Sequence, residues 1–403
     1  MELFWLEHKK LWRKKIVKIC VLLCFVYYVI FGSILSFQWF SFGISDDYTS
    51  AFGNNFDGYT VIKDSQEYAL SFGGELTDET LQKIVSDYQQ MEADGMEEEL
   101  EKTDWQIVNS WLGTLYPELR DTSNYKTMIS YVDPDKLTGF YERRQQVLDE
   151  FLEVSGQVGA EKEFLHQIER KVEKPFRYEW VEGWSMLLGS MVADLGVVMA
   201  LFLGIVLSSL FAGEWHDNTS TLVLTTRNGW GKIALAKILT GLAFTVELFA
   251  LLAVSNVISQ LFFMGTAGWD MPIQNIKLIA VAPMNMLQAE IYEYAFVLLG
   301  AIGFAGIVMF ISAAVKNNVL TLLLSLAVVY GPMMIAEYLP YGMQKALDLI
   351  PLVGSSTDIF RTNTFRIFGK LIWSPYLLIT IPVLIGILCM PFAIKSWSRR
   401  MKA

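Results

Sequence analysis

The fold is decided by a long apolar segment, residues 184–211, which reads WSMLLGSMVADLGVVMALFLGIVLSSLF. A helix needs about 20 mostly apolar residues to cross a bilayer, and this segment is long enough. Apolar residues make up 53% of the chain, which is high for a soluble protein. The sequence predicts an all-α polytopic membrane protein with six transmembrane helices. They are Ile16–Trp39, Trp184–Phe211, Ile233–Met264, Ile291–Val315, Val319–Ile335 and Ile372–Ile394.

Basic residues at both ends of the chain indicate the side of the membrane on which they lie. Residues 1–15, predicted to form an interfacial helix, and the tail 395–403 are both rich in Lys and Arg. Because cytoplasmic flanks carry an excess of these residues, both termini are expected in the cytoplasm, which six crossings allow. Four basic residues before the sixth span run against this topology. They are Lys345, Arg361, Arg366 and Lys370.

Residues 40–183, between the first two predicted spans, are predicted to form a mostly α extracytoplasmic domain. The segment is strongly acidic and contains none of the three cysteines, so packing rather than disulfides must hold it together. A cysteine-free outer domain is typical of bacteria without strong oxidative folding. Thr77 is predicted to cap a helix, and a second helical stretch covers 140–172 with breaks near two glycines. The predicted inward positions are Leu81, Ile84, Val85, Tyr88, Leu148, Phe151, Leu152 and Val158.

The polar loop 212–232 joins the second and third predicted spans and contains GEWHDNTSTLVLTTR, residues 213–227. The pattern begins with an acidic residue and a polar turn. A Thr–Leu stretch, an Arg and a Lys follow in that order. These positions are Glu214, Thr219, Leu222, Arg227 and Lys237. The pattern resembles the first intracellular loop of permease subunits of type-2 ABC exporters. Asn218 and Thr226 depart from it, because members often have Gly and Pro there.

The N-terminal stretch containing Glu7, Lys10 and Trp12 resembles the interfacial helix that precedes the first span in the same family. The resemblance implies that a separate ATPase binds the loop 212–232, with Trp215 and Leu222 as apolar anchors and Glu214 and Arg227 paired with its charges. It also implies a second permease copy, contact with membrane lipids and a bacterial cell membrane. The alternative is an ordinary interfacial loop, with tryptophans anchoring it in the membrane surface.

The sequence carries no signature of catalysis in this chain. A phosphate-binding Gly-x-x-x-x-Gly-Lys-Ser/Thr motif is missing, so ATP and Mg²⁺ are expected on the partner ATPase alone. Histidines fall at three distant positions, and no spacing suits a metal. We therefore expect a transport subunit that is not an enzyme, with no cofactor or metal of its own and no nucleic acid partner.

Two carboxylates inside predicted spans are the other chemical lead. Asp194 and Glu247 each lie near the middle of an apolar segment, and neither has a basic partner within a span. Charges in lipid are costly, so such groups are functional candidates that could bind a cation or a proton. The alternative is that both are protonated and hydrogen-bonded to nearby hydroxyls or backbone.

Two further segments bear on packing. Residues 339–371 are too polar to cross the membrane, and the resemblance implies short re-entrant helices there, on the outer side. The glycines at 300, 303 and 306 permit close approach of another helix, either within the chain or between two copies.

An exporter permease moving an amphipathic or cationic substrate (a lipid, an antimicrobial peptide, a drug or an ion) is the function that the resemblance favours. A membrane sensor using the outer domain and a cation-coupled carrier independent of ATP are the alternatives. The short tails speak against a sensor with its own signalling domain. No convincing internal repeat, which carriers often have, is present.

Overall fold

The computed structural model describes most of the chain as helices that form a bundle, with a smaller lobe packed on one end. The described residues are 2–32, 66, 69, 73–96, 105–121, 123, 126–188, 192–216, 219, 231–354 and 362–399.

The N-terminal segment forms two helices in succession. α1 spans Glu2–Arg13 and α2 spans Lys15–Val26, and one π-helical turn follows at Tyr27–Gly32. Lys14 separates the two helices with an extended backbone. The predicted N-terminal helix is therefore present. The last part of the first predicted span, residues 33–39, lies outside the described residues.

The lobe comprises the described residues between 73 and 178 and has mostly helical structure, as predicted. Two short strands pair antiparallel and close it, with Gly74 opposite Tyr178. Three 3₁₀ turns supply the connections between its second and third helices. Its elements are β1 (Gly74–Leu76), α3 (Asp78–Ala93), α4 (Trp105–Leu115), α5 (Phe140–Val154), α6 (Ala160–Glu169) and β2 (Phe176–Tyr178).

The predicted start of α3 is confirmed, because the Thr77 hydroxyl accepts a hydrogen bond from the Thr80 backbone N–H at 3.2 Å. Most predicted inward positions of the lobe are buried, including Leu81, Ile84, Val85, Leu148 and Leu152. Two are wrong. Phe151 and Val158 are exposed, because the buried face of α5 repeats every four residues and Val158 lies in the turn after it.

The bundle contains the long apolar helices. Among the described residues, five helices are long and apolar enough to cross a membrane, so the prediction of a helical multi-pass protein is confirmed at this level. Within the second predicted span a short helix precedes the long one, and residues 189–191 between them lie outside the described residues. The helices are α7 (Glu182–Met186), α8 (Val192–His216), α9 (Lys232–Met264), α10 (Met286–Ala314), α11 (Asn318–Ile335), α12 (Tyr341–Leu347) and α13 (Ser374–Arg399).

Glycines let α10 and α13 approach each other closely. A Cβ atom at Gly303 would lie 2.3 Å from the Pro382 carbonyl oxygen, and one at Gly306 would lie 2.4 Å from that of Gly386. Only residues without side chains fit such a crossing, as expected for helix packing in membranes. The two glycines thus serve packing within the chain, one of the two roles that the sequence allowed.

The described part of the segment 339–371 contains one short helix, α12, and then a hairpin of β3 (Thr364–Ile367) and β4 (Lys370–Trp373). Residues 355–361 lie outside the described part, so the expected pair of re-entrant helices stays a prediction. Between α12 and the hairpin the chain enters the bundle, where Leu352 is buried and packs against Gly300 of α10. The described residues 351–354 therefore enter the bundle as a turn.

Candidate functional site

An ion network joins the ends of two long helices to the N-terminal helix. The Lys237 Nζ atom of α9 donates a hydrogen bond to Glu214 Oε1 of α8 at 2.9 Å. The same ammonium group donates to Glu7 Oε2 of α1 at 2.8 Å. Both charged groups of the first pair are almost fully buried, with 2% of the Lys237 side chain and 4% of the Glu214 side chain exposed. One lysine thus bridges carboxylates from two distant parts of the chain.

A second lysine completes the ion network, which we define as Glu7, Lys10, Glu214 and Lys237. Lys10 donates to the same Glu214 oxygen, and its side chain remains half exposed. Glu214 contacts both lysines, and Glu7 contacts Lys237, so each carboxylate of the network has at least one cation beside it. A buried ion pair is tolerated only when its partners compensate the loss of water, and this arrangement meets that condition.

The position of Glu214 in α8 explains why it needs these partners. It lies in the last turn of the helix, where the exposed carbonyl groups make the helix end negative. A carboxylate there is unfavourable unless cations neutralise it. The Thr219 hydroxyl also donates to the second Glu214 oxygen, which binds the beginning of the following loop to the helix end.

The N-terminal residues reach this position because Glu7 and Lys10 share one face of α1 and Lys14 follows directly after the helix. Leu11, between Lys10 and Lys14 in sequence, is buried. Lys14 donates to the Ser209 hydroxyl of α8 at 2.9 Å. The spacing could have revealed this charged face from the sequence, but not the residues that it meets.

The expectation for Glu214 needs correction. It was expected to face a charge on another protein, whereas the structure satisfies it within the chain. Trp215 likewise packs inside the bundle, with its ring 6.1 Å from that of Trp397 and with the Lys316 ammonium 4.5 Å from its centre. Leu222 and Arg227 fall in the stretch 220–230, outside the described residues.

Of the two predicted intramembrane carboxylates, the structure describes the side chain of Glu247 but not that of Asp194. Glu247 was noted for lacking a basic partner within a span, and the structure supplies partners from α1. Trp12 Nε1 donates to Glu247 Oε2 at 3.0 Å, and His8 Nε2 lies 3.2 Å from Oε1. The Trp12 ring also packs edge-on against Phe244. Glu247 is therefore a contact of the N-terminal helix. The side chain of Asp194 lies outside the described residues.

The ion network holds three helices together, α1, α8 and α9. Within the described part of the chain, no three His, Cys, Asp or Glu side chains come together as metal ligands. Comparison with known proteins found no matching family model, no matching curated protein and no matching solved structure.

Proposed function

We propose that the protein is the membrane-spanning subunit of an ATP-driven exporter, working with an ATPase on a separate chain. The observation that carries the proposal is the bridge that Lys237 makes between Glu7 and Glu214. It ties both ends of the loop 212–232 to one N-terminal helix. Together with the sequence pattern of that loop, this geometry suits an element that receives force from a partner.

The ion network gives the loop a rigid base. An ATPase that closes on nucleotide can move a membrane helix only through contacts that do not yield. Displacement of the loop would reach α8 through Glu214, α9 through Lys237 and α1 through Glu7 and Lys10. The three helices would then move as one unit. In this role Glu214 stabilises the base of the loop, and the docking contacts themselves belong to other residues.

An ordinary interfacial loop accounts less well for the same geometry. Joining two helices needs only a few turn residues, whereas the buried pair of Lys237 and Glu214 requires compensation for lost hydration. A surface anchor made of tryptophans would leave Trp215 at the lipid boundary, but its ring contacts the Trp397 ring and the Lys316 ammonium group. The buried network favours a mechanical role.

The proposal includes a topology and partners. Six crossings place both termini in the cytoplasm of a bacterial cell and the lobe outside, with the first crossing beginning in α2. The ATPase carries ATP and Mg²⁺, and a second permease copy completes the transporter within the lipid. The substrate is an amphipathic or cationic molecule. Exposed apolar side chains along α9 and α11, such as Phe262 and Leu323, are suited to lipid contact.

The first experiment is purification from native membranes in mild detergent, with mass spectrometry of co-eluting chains. A stoichiometric ATPase is expected. A chain that elutes without any ATPase would contradict the proposal and favour a carrier or sensor.

Charge exchange then tests the ion network. We expect Glu214→Lys and Lys237→Glu each to reduce transport-coupled ATP hydrolysis, and the double exchange to restore part of it. Lys370→Glu, an exposed change in β4, is the matched control and should behave as the unmodified protein. Equal activity in all four variants, at equal expression and thermal stability, would refute the role of the network.

A further inference from the structure

Two acidic side chains lie buried near the beginning of α10, and sequence analysis did not single them out. Glu290 and Glu293 are 4% and 0% exposed. Being three residues apart, they share one face of the helix. The Tyr294 hydroxyl is a hydrogen-bonding neighbour of the Glu290 carboxylate, whereas neither Glu293 oxygen accepts a hydrogen bond from the described residues. No described basic side chain pairs with either carboxylate.

The neighbouring helix α9 faces them with amides. α9 and α10 run antiparallel, since Gly241 meets Met309 near one end and Asn256 meets Tyr294 toward the other. Asn256 Nδ2 donates to the Tyr294 hydroxyl at 3.1 Å, and that hydroxyl interacts with Glu290. The side-chain amide oxygen of Asn256, Oδ1, is fully buried and accepts no hydrogen bond from the described residues.

Helix geometry places the amide side chain of Gln260 at the same level of the bundle as the Glu290 carboxylate. Because Asn256 meets Tyr294, one turn forward in α9 corresponds to one turn back in α10. Gln260 is therefore level with Glu290, and it too is fully buried. Tyr28, a buried residue of the π-helical turn in the N-terminal segment, lies near Tyr294. Single π turns often occur at functional positions.

The polar side chains at this place offer only oxygen atoms as ligands. The carboxylates of Glu290 and Glu293 and the amide oxygen of Asn256 are hard oxygen ligands, without the thiols or imidazoles that transition metals prefer. Two neighbouring carboxylates in an apolar interior repel each other and are costly unless a cation or protons accompany them. The amide oxygen of Asn256 favours the cation, because one cation can bind this oxygen and both carboxylates at once. A proton held by one carboxyl group can be shared with only one acceptor.

We propose that Glu290, Glu293 and Asn256 bind a hard cation, such as Na⁺ or Ca²⁺, between α9 and α10. The site lies about 6–10 Å from the beginning of α10, on the end of the bundle that carries the lobe. It is separate from the ion network, which lies at the other end of α9, and it does not depend on an ATPase partner.

The unmodified protein provides the first test. Dicyclohexylcarbodiimide, an apolar reagent, modifies carboxyl groups in apolar surroundings, and peptide mass spectrometry locates the adducts. With Na⁺ or Ca²⁺ present we expect labelling of Glu290 and Glu293 to fall at least fivefold relative to choline at equal ionic strength. Labelling that depends on pH alone, and is the same in all three salts, would overturn the proposal in favour of two protonated carboxyls.

Variants locate the ion by an independent measurement. In detergent, the unfolding temperature of the full chain should rise with the logarithm of Na⁺ or Ca²⁺ concentration, as for any ligand of the folded state. Glu290→Gln with Glu293→Gln should remove this rise, and Asn256→Leu should weaken it. Glu247→Gln, a carboxylate change elsewhere on the bundle, should retain it. A rise that persists in the double variant would place the ion elsewhere and refute the site.

Discussion

At the scale of single residues, Lys237 is the centre of the ion network. Its ammonium group touches two carboxylates and has almost no access to water. Removing one member of a buried ion pair leaves an uncompensated charge, which typically costs about 3–5 kcal/mol. Here the half-exposed Lys10 compensates part of the remaining charge on Glu214, so the lower end of that range applies.

We therefore predict that Lys237→Met lowers the free energy of unfolding by about 3 kcal/mol, since the stem volume is kept and only the charge is lost. Thermal unfolding in detergent measures the change. Lys370→Met, which removes an exposed ammonium group, is the control and should alter stability by less than about 0.5 kcal/mol. A loss no greater than that of the control would show that the network does not stabilise the fold.

A second residue-scale prediction concerns Glu169 in the lobe. Burial raises the pKa of its carboxyl group, but hydrogen bonds and charges from Lys174 and Arg144 outweigh burial and hold the pKa below its ordinary value. A lowered pKa stabilises the fold above the unfolded pKa of about 4.3, and this stabilisation is lost as the pH falls through the folded pKa.

The unmodified protein should consequently be more stable than Glu169→Gln at pH 7, and the difference should shrink as the pH is lowered from about 4.3 toward 3. Unfolding temperatures of the two proteins across this range provide the measurement. Acid effects from all other groups are common to both proteins and cancel in the comparison. A difference that is the same at both ends of the range would contradict the assigned pKa direction.

At the scale of helices and strands, the contact of α10 with α13 leaves the least space for side chains. A Cβ atom at Gly303 would meet backbone, the Pro382 carbonyl oxygen at 2.3 Å, and backbone cannot move away without shifting a helix. At Gly300 the nearest atom is a Leu352 methyl group at 3.0 Å, which can rotate. The two glycines lie one turn apart in the same helix, so they form a matched pair.

We predict that Gly303→Ala destabilises the protein by at least about 2 kcal/mol, while Gly300→Ala costs less than half of that. Gly331→Ala, in α11, has no atom within 4 Å of the added carbon and should be neutral or slightly stabilising. Unfolding temperatures in detergent give this order. If Gly300→Ala were the more harmful change, the close crossing of α10 and α13 would be placed wrongly.

Elements differ in how far the sequence reveals them. Long helices such as α9 follow from apolar length alone, and the start of α3 follows from the capping chemistry of Thr77. The β3–β4 hairpin was not predicted. Its two-residue turn has positive φ angles at Phe368 and Gly369. Phenylalanine is not among the residues that are typical of such a turn, so the sequence does not predict it.

The candidate site shows the same limit. Glu7, Lys10, Glu214 and Lys237 were all selected from the sequence, but not as each other's partners. Their pairing depends on how α1 crosses α9, which is a property of packing that no local pattern encodes. Glu290 and Glu293 were missed because they stand at the edge of an apolar segment, where acidic residues usually mark its end.

At the scale of the whole molecule, the lobe is joined to the bundle by polar contacts as well as apolar packing. Arg144 of α5 is fully buried and donates from Nε to the Leu278 carbonyl oxygen at 2.7 Å and from Nη2 to that of Ala280 at 3.2 Å. Its Nη1 atom donates to Glu169 at 2.6 Å. One guanidinium group therefore ties two lobe helices to the segment that connects α9 with α10.

Arg144→Met should therefore uncouple the lobe from the bundle, because it removes the guanidinium donor from the Leu278 and Ala280 carbonyl groups and from the Glu169 carboxylate. Gln274 still donates to the Ala280 carbonyl oxygen, and Lys174 still pairs with Glu169. We expect the unfolding transition to split in two, and limited proteolysis to release lobe fragments at a temperature where the bundle is intact. Arg170→Met, which removes an exposed guanidinium group of the same lobe, should leave one transition. Should Arg144→Met also unfold in a single step, the remaining contacts would be enough to join the two parts. They include apolar packing and polar contacts such as the hydrogen bond from Trp111 Nε1 to the Asn275 carbonyl oxygen at 3.1 Å.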